Sequence, residues 1–430
     1  MLNKLKANSL LSGTAVYLFS NILNAAIPFA LLPILTHYLT PAEYGEVAIF
    51  QTLLAALMAF IGLNVADASA RKYYDGHLHE NEIRYFIGAC LHILIISTVT
   101  SFTFIYLFRE QLSAWLNLKA QWILLAVFVT AFSVIVQLRL VQWQVRGEAK
   151  RYGLLQISQS AFNMLLSVLL VVVFLQGATG RISAQGWAYG IFALLALYLL
   201  RRDSLLSILV WKPNYIKESL QYGVPLIPHV FAGFLLTSID RIIINTEIGI
   251  SQAGIYMVAV QLAAGMGLLF DAINKAYVPW LFIRLKRDIL TEKKQIVRYT
   301  YTWFFCIVVI AMLFFVFGPW LITLIADKRY LPAGEVIGWL ALGQAFGGMY
   351  LMVTNYVFYS KRTGLLSMAT ITSGLVNVLL LLLLIKLFGL KGAAIAFSIS
   401  MAIRFLLTWW LAQRLYPMPW FNMKKEKLLC

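Results

Sequence analysis

Apolar runs of about 20 residues, each bounded by charge or turn clusters, recur twelve times along this chain. Their approximate limits are 10–36, 44–66, 84–108, 116–141, 152–176, 183–200, 216–240, 252–278, 299–325, 334–358, 364–386 and 391–413. A helix needs roughly 20 apolar residues to cross the hydrocarbon core of a bilayer, where every backbone polar group must be satisfied within the segment. Twelve such runs account for most of the 61% hydrophobic content of the 430 residues. Connections such as TPAEYG, QGATGRI and FGLKGAA are short, so no extramembrane domain is expected. Only 12% of residues are charged, about half the share usual in soluble domains. That excludes a globular enzyme, a DNA-binding module and a disordered chain.

The basic residues orient the runs, because Lys and Arg concentrate in cytoplasmic loops. With a cytoplasmic N-terminus, 25 of the 35 Lys and Arg fall inside and 8 outside, Arg181 among the latter, while Lys275 and Arg404 lie within helices. The inner face then carries +15 and the outer face +1, which absorbs nearly all of the net +17. Both termini are expected to be cytoplasmic, in a multi-pass membrane protein. The N-terminal run extends past Pro28, too long for a cleaved signal, and is read as a retained helix. Cys90, Cys306 and Cys430 are widely spaced and indicate neither a disulfide framework nor a metal site.

The sequence also contains itself once, at an offset near 210. Lys150-Arg151-Tyr152-Gly153-Leu154-Leu155 opens the fifth run and Lys361-Arg362-Thr363-Gly364-Leu365-Leu366 the eleventh. Each continues into an Asn-containing Leu/Val stretch (Asn163, Asn377) and ends at a G-x-x-G step, Gly177/Gly180 and Gly389/Gly392. Six helices per copy start both copies on the same side, giving a parallel repeat about an axis along the membrane normal. The expected architecture is therefore all-α, with twelve transmembrane helices in two six-helix lobes, 1–205 and 206–430.

Four stretches carry a family resemblance: LLPILTHYLTPAEYGEVAIF (31–50), YGVPLIPH (222–229), SIDRIIIN (238–245) and AGIYMVAVQL (253–262). With the KR-x-G…N…G-x-x-G element, the chain resembles the Wzx-type bacterial polysaccharide flippases, which serve O-antigen and related pathways. These belong to the multidrug/oligosaccharidyl-lipid/polysaccharide exporter superfamily. The resemblance implies movement of an undecaprenyl-diphosphate-linked oligosaccharide from the cytoplasmic to the periplasmic leaflet by alternating access. It implies no catalysis, cofactor, metal or nucleic acid. Its partners would be the lipid-linked oligosaccharide, membrane lipids, a polysaccharide polymerase and a chain-length regulator.

Such a cargo needs cations for its diphosphate and hydrogen-bonding groups for its glycan, held away from bulk water. Arg404 lies about 13 residues into the last run, at roughly 20 Å depth, where its guanidinium suits phosphate oxygens; a structural pairing is the other reading. Asp271 and Lys275, one turn apart, form either a cavity mouth or an interfacial pair. Asn21 and Asn24 share a face of the first run, for packing or for a sugar. His229 is a packing residue or a proton carrier.

Asp240 and Arg241 at the outer end of the seventh run read as a gate or lobe contact, or as a surface anchor. The same choice, against a role in topology, stands for Asp67 and Arg139. Proline removes a helix hydrogen bond and permits bending. Pro28 and Pro33 in the first run and Pro225 and Pro228 in the seventh are read as an outer and an inner hinge, with static kinks as the alternative. A drug/cation antiporter of the same superfamily is the nearest rival, yet no carboxylate lies near mid-depth of any run. A membrane glycosyltransferase or polymerase would need a long extramembrane catalytic segment, and none is present.

Overall fold

The computed structural model describes residues 2–75, 80–362 and 364–420, and within them all side chains except those of 2–18, 80 and 81. Cys430 and the rim lysines Lys424, Lys425 and Lys427 lie outside the described residues. No strand occurs among the described residues. The helices are α1 (Leu2–Tyr38), α2 (Pro41–Leu57), α3 (Val65–Tyr74), α4 (Glu80–Leu107), α5 (Arg109–Leu116), α6 (Ala120–Val145), α7 (Ala149–Val168) and α8 (Gly177–Arg202). They continue with α9 (Pro213–Gly223), α10 (Ile227–Thr237), α11 (Ile239–Ile248), α12 (Ile250–Arg287), α13 (Leu290–Ile325), α14 (Gly334–Tyr359) and α15 (Gly364–Leu415). Ten helical segments among the described residues are long and apolar enough to cross a membrane.

Several boundaries differ from the sequence expectation for identifiable reasons. The second run is not one helix. After α2 the chain takes left-handed conformations at Gly62, Leu63 and Asn64 before α3 begins. The seventh run is broken twice, by a 3-10 turn at Val224–Leu226 that contains Pro225, and again at Ser238. Pro228 sits in the first turn of α10, where its missing N–H costs no hydrogen bond. By contrast, α1 runs unbroken through Pro28 and Pro33. The 52-residue α15 is two helices meeting at Gly389, whose φ of 56° is left-handed.

The described residues fall into two compact units. The first takes those within Met1–Phe234, Ser238–Met257 and Ile325–Tyr330; the second takes Leu235–Thr237, Val258–Leu324 and Leu331–Cys430. Within the first unit, Thr40 and Glu43 form a capping box that starts α2. Asn64 Nδ2 donates to the carbonyl of Gly223 (3.1 Å), and Lys72 pairs with Glu218 at 2.7 Å, tying α9 to α3 and the turn before it. At the other end of α2, Gly254 of α12 abuts the carbonyl of Pro41, with no room for a Cβ. Gly254→Ala is therefore expected to push the helices apart at a cost of about 1–3 kcal/mol. A lowered unfolding temperature of the purified protein checks this, and an unchanged one would show the contact to be slack.

The second unit has an apolar interior that includes Phe270, Ile307, Ala341, Val353 and Phe405. Two buried asparagines in it bond across elements. Asn355 donates to Asn274 Oδ1 at 2.8 Å, and Asn377 Nδ2 donates to the carbonyl of Leu235 at 2.9 Å. The latter carbonyl is one that the helix break at Ser238 releases from helical bonding.

The two G-x-x-G steps have one geometry. Gly177 has φ 58° and Gly389 has φ 56°, a region that a residue with a Cβ enters only at a steric cost. In each step the second glycine, Gly180 or Gly392, lies against backbone of the preceding helical segment, Leu170 or Leu384. Before Gly177 that segment ends in a π-helical turn, Leu169–Val173.

Candidate functional site

Five helices of the first unit surround a cavity of about 490 Å³ with a polar wall. The wall comes from stripes at helical spacing. On α7, Gln156, Gln159, Ser160 and Asn163 follow the i, i+3, i+4, i+7 pattern, which puts all four on one face. Arg181, Gln185 and Tyr189 repeat every four residues along α8, and Thr130, Ser133 and Gln137 do nearly the same on α6. Asn24 of α1 and Gln51 of α2 complete the polar lining.

Arg181 is the one charged residue in that wall among the described residues and is only 7% exposed. Its guanidinium donates to Asn163 Oδ1 and Ser167 Oγ, both at 3.0 Å. Its Nε is buried with no hydrogen-bond partner among the described residues. Among the described residues no Asp or Glu lines the cavity. A buried guanidinium held by neutral acceptors alone keeps its full charge in a medium that screens it poorly. Gln156 Oε1, Gln159 Nε2 and Gln185 Oε1 are also buried without a protein partner among the described residues. Chemically, the cavity combines one fixed cation with an excess of amide donors and acceptors, a match for an anionic group bearing hydroxyls.

The sequence reading placed Arg181 in an outer loop; it lies inside α8, because that helix begins at Gly177 rather than near residue 183. Asn21 and Asn24 do share a face of α1, and that face meets α7. Asn21 Oδ1 accepts from Tyr152 (3.4 Å) and Gln156 (3.2 Å), and Asn24 Oδ1 accepts from Ser160. Of the sequence candidates for substrate contact, Asn24 lines this cavity, together with the hinge candidate Pro28.

The other candidates are distributed elsewhere. Arg139 of α6 is fully buried, pairs with Asp203 and stacks on Trp143 at 4.0 Å. Asp67 is exposed on α3, and His229 is half-buried on α10. Asp240 and Arg241 form a buried ion pair at 3.0 Å on α11, and Asp240 also accepts from Tyr256 (2.9 Å). In the second unit, Asp271 and Lys275 pair at 2.6 Å on an exposed face of α12. Arg404 of α15 is half-buried with its guanidinium 3.8 Å from the centre of the Tyr350 ring, a cation–π contact. Among the described residues no group of three His, Cys, Asp or Glu is placed to hold a metal ion.

Residues 10–284 match the family model described as polysaccharide biosynthesis protein. The chain belongs to that family. A relative from Haloferax volcanii, described as the probable low-salt glycan biosynthesis flippase Agl15, is 20% identical over 404 residues, covering 92% of this chain and 82% of its own. Among solved structures, an inward-facing multidrug resistance MATE family transporter of the MOP superfamily aligns with TM-score 0.73 at 15% identity, over 91% of this chain and 94% of its own. The lipid II flippase MurJ, in an inward closed conformation, aligns with TM-score 0.72 at 14% identity, over 94% and 87%. At such identities the likeness is one of fold. The polysaccharide biosynthesis family is the one that residues 31–50, 222–229, 238–245 and 253–262 resemble, and its member here is a multi-pass membrane protein.

Proposed function

We propose that this chain is a flippase that carries an undecaprenyl-diphosphate-linked oligosaccharide from the cytoplasmic to the periplasmic leaflet of the bacterial inner membrane. The observation that carries the reading is Arg181, a buried cation in an amide-lined cavity without a carboxylate, in a chain of the polysaccharide biosynthesis family. The arginine would hold a phosphate or another acidic group of the cargo, and the glutamines and Asn24 would bond its hydroxyls. In the second unit, Arg404, held over Tyr350, is the cation of the last run that the sequence assigns to an anionic cargo. The flippase title of the Haloferax volcanii relative agrees with this reading.

Alternating access of two lobes, 1–205 and 206–430, is the mechanism that this reading adopts. Counting α2–α3 as one span and α15 as two, beside the other nine long apolar segments, supports twelve spans. The matched conformations of Gly177 and Gly389 support the internal repeat, and the basic rim supports cytoplasmic termini. Helix breaks at Val224–Leu226 and Ser238 give the seventh span two places to bend, with Asp240 and Arg241 beside the second.

A cation antiporter would need an acid where it binds its cargo; this cavity holds the opposite charge. Deleting the gene is the direct test. Lipid-linked oligosaccharide is expected to accumulate, shielded from reagents that label only the outer leaflet. Normal leaflet distribution in the deletion strain, or a change confined to drug resistance, would sink the proposal.

A further inference from the structure

The first unit has a second cleft, of about 390 Å³, where α6, α7 and α8 meet at the end that bears Arg201 and Arg202. Its floor is apolar, with Leu155, Phe192, Leu195 and Leu199. At its rim stand Arg151, at the start of α7, and Arg202, at the end of α8, and Ser158 of α7 also lines it. Both arginine side chains are exposed.

The acids nearby cancel this rim in part. Asp203, which also lines the cleft, is taken by the buried Arg139, and Glu148 is taken by Arg151 at 2.6 Å. Arg202 forms no ion pair among the described residues. Between residues 139 and 203 this end of the three helices carries Arg139, Arg146, Lys150, Arg151, Arg201 and Arg202 against those two carboxylates. The cleft thus presents a net positive charge, with Arg151 paired to Glu148 and Arg202 in no ion pair among the described residues, beside an apolar slot between helices.

We propose that this cleft is a binding site for an anionic glycerophospholipid, with its phosphate on Arg151 and Arg202 and its acyl chain between α7 and α8. Charge complementarity selects the occupant. A zwitterionic lipid brings an ammonium that the rim repels, whereas phosphatidylglycerol or cardiolipin brings only acceptors. Basic pockets between membrane helices favour anionic headgroups by this means. The lipid would brace the end of α8 whose other end supplies Arg181, so the site serves the transporter without being part of the cargo cavity.

Native mass spectrometry of the purified full-length protein, titrated separately with phosphatidylglycerol and phosphatidylethanolamine, tests the assignment and is independent of transport. The wild type should retain phosphatidylglycerol preferentially. R151Q/R202Q should lower that retention about tenfold or more, since each arginine near a phosphate contributes on the order of fivefold. L195W, which fills the slot and leaves the rim intact, should lower retention of both lipids. Equal retention of the two lipids by the wild type overturns the proposal. So does undiminished phosphatidylglycerol retention in L195W, an arm that stands even where the double arginine variant does not fold.

Discussion

Replacing Arg181 with methionine is expected to abolish surface glycan while leaving the protein folded and in the membrane. Among the described residues the guanidinium is buried, bonded only to Asn163 and Ser167, and faces a cavity without acids. Holding a cation there costs desolvation energy that no carboxylate repays. An apolar side chain of similar length removes that cost, so the unfolding temperature should stay level or rise. Export should move the other way. A charge-assisted hydrogen bond to an anionic cargo is worth on the order of 2 kcal/mol, about thirtyfold in affinity. Arg181→Lys keeps the charge and loses the planar fork, so intermediate export is expected. Surface glycan measured beside membrane abundance and unfolding temperature separates the possibilities. Normal glycan in the methionine variant removes Arg181 from the mechanism, and loss of glycan with loss of protein reduces it to a structural residue.

The contrast between Arg181 and Arg404 shows where reading the chain works and where it stops. Membrane helices announce themselves because lipid demands apolar runs of fixed length, so the all-helical class and the family resemblance are legible before any coordinates. Breaks inside the runs are less so. The interruption between α2 and α3 depends on backbone turns at Gly62 and Asn64 that a run of apolar letters conceals. A search for deep charges finds Arg404, which sits mid-run, and passes over Arg181, because the glycines of GATGR look like a turn. Only the left-handed Gly177 and the close packing of Gly180 on Leu170 carry that arginine into the helix. The polar stripe of Gln156, Gln159, Ser160 and Asn163 was available from spacing alone. It is uncharged, and a survey of ionisable groups does not see it. Which faces converge on one cavity is a matter of tertiary packing, and no single helix encodes it.

The largest expected loss of stability lies at Asp240. Its carboxylate is 2% exposed and binds the Arg241 guanidinium at 3.0 Å, the Arg241 backbone N–H at 2.9 Å and the Tyr256 hydroxyl at 2.9 Å. Asp240→Ala removes the charge that Asp240 sets against the buried guanidinium, and breaking a buried pair from one side costs about 3–5 kcal/mol. The effect should spread along α11, which Asn245 anchors to the carbonyl of Leu116 at 2.8 Å. Removing both charges, D240A/R241M, should recover much of the loss, because no orphaned ion remains. Tyr256→Phe deletes one hydrogen bond and should cost about 1 kcal/mol. Unfolding curves for the wild type, D240A, R241M and D240A/R241M form a double-mutant cycle around the pair, with Tyr256→Phe as the reference for a single lost bond. If Asp240→Ala is no worse than Tyr256→Phe, the pair does not hold α11. If Tyr256→Phe leaves stability nearly intact yet slows export, the cluster acts in opening and closing the transporter rather than in holding it together.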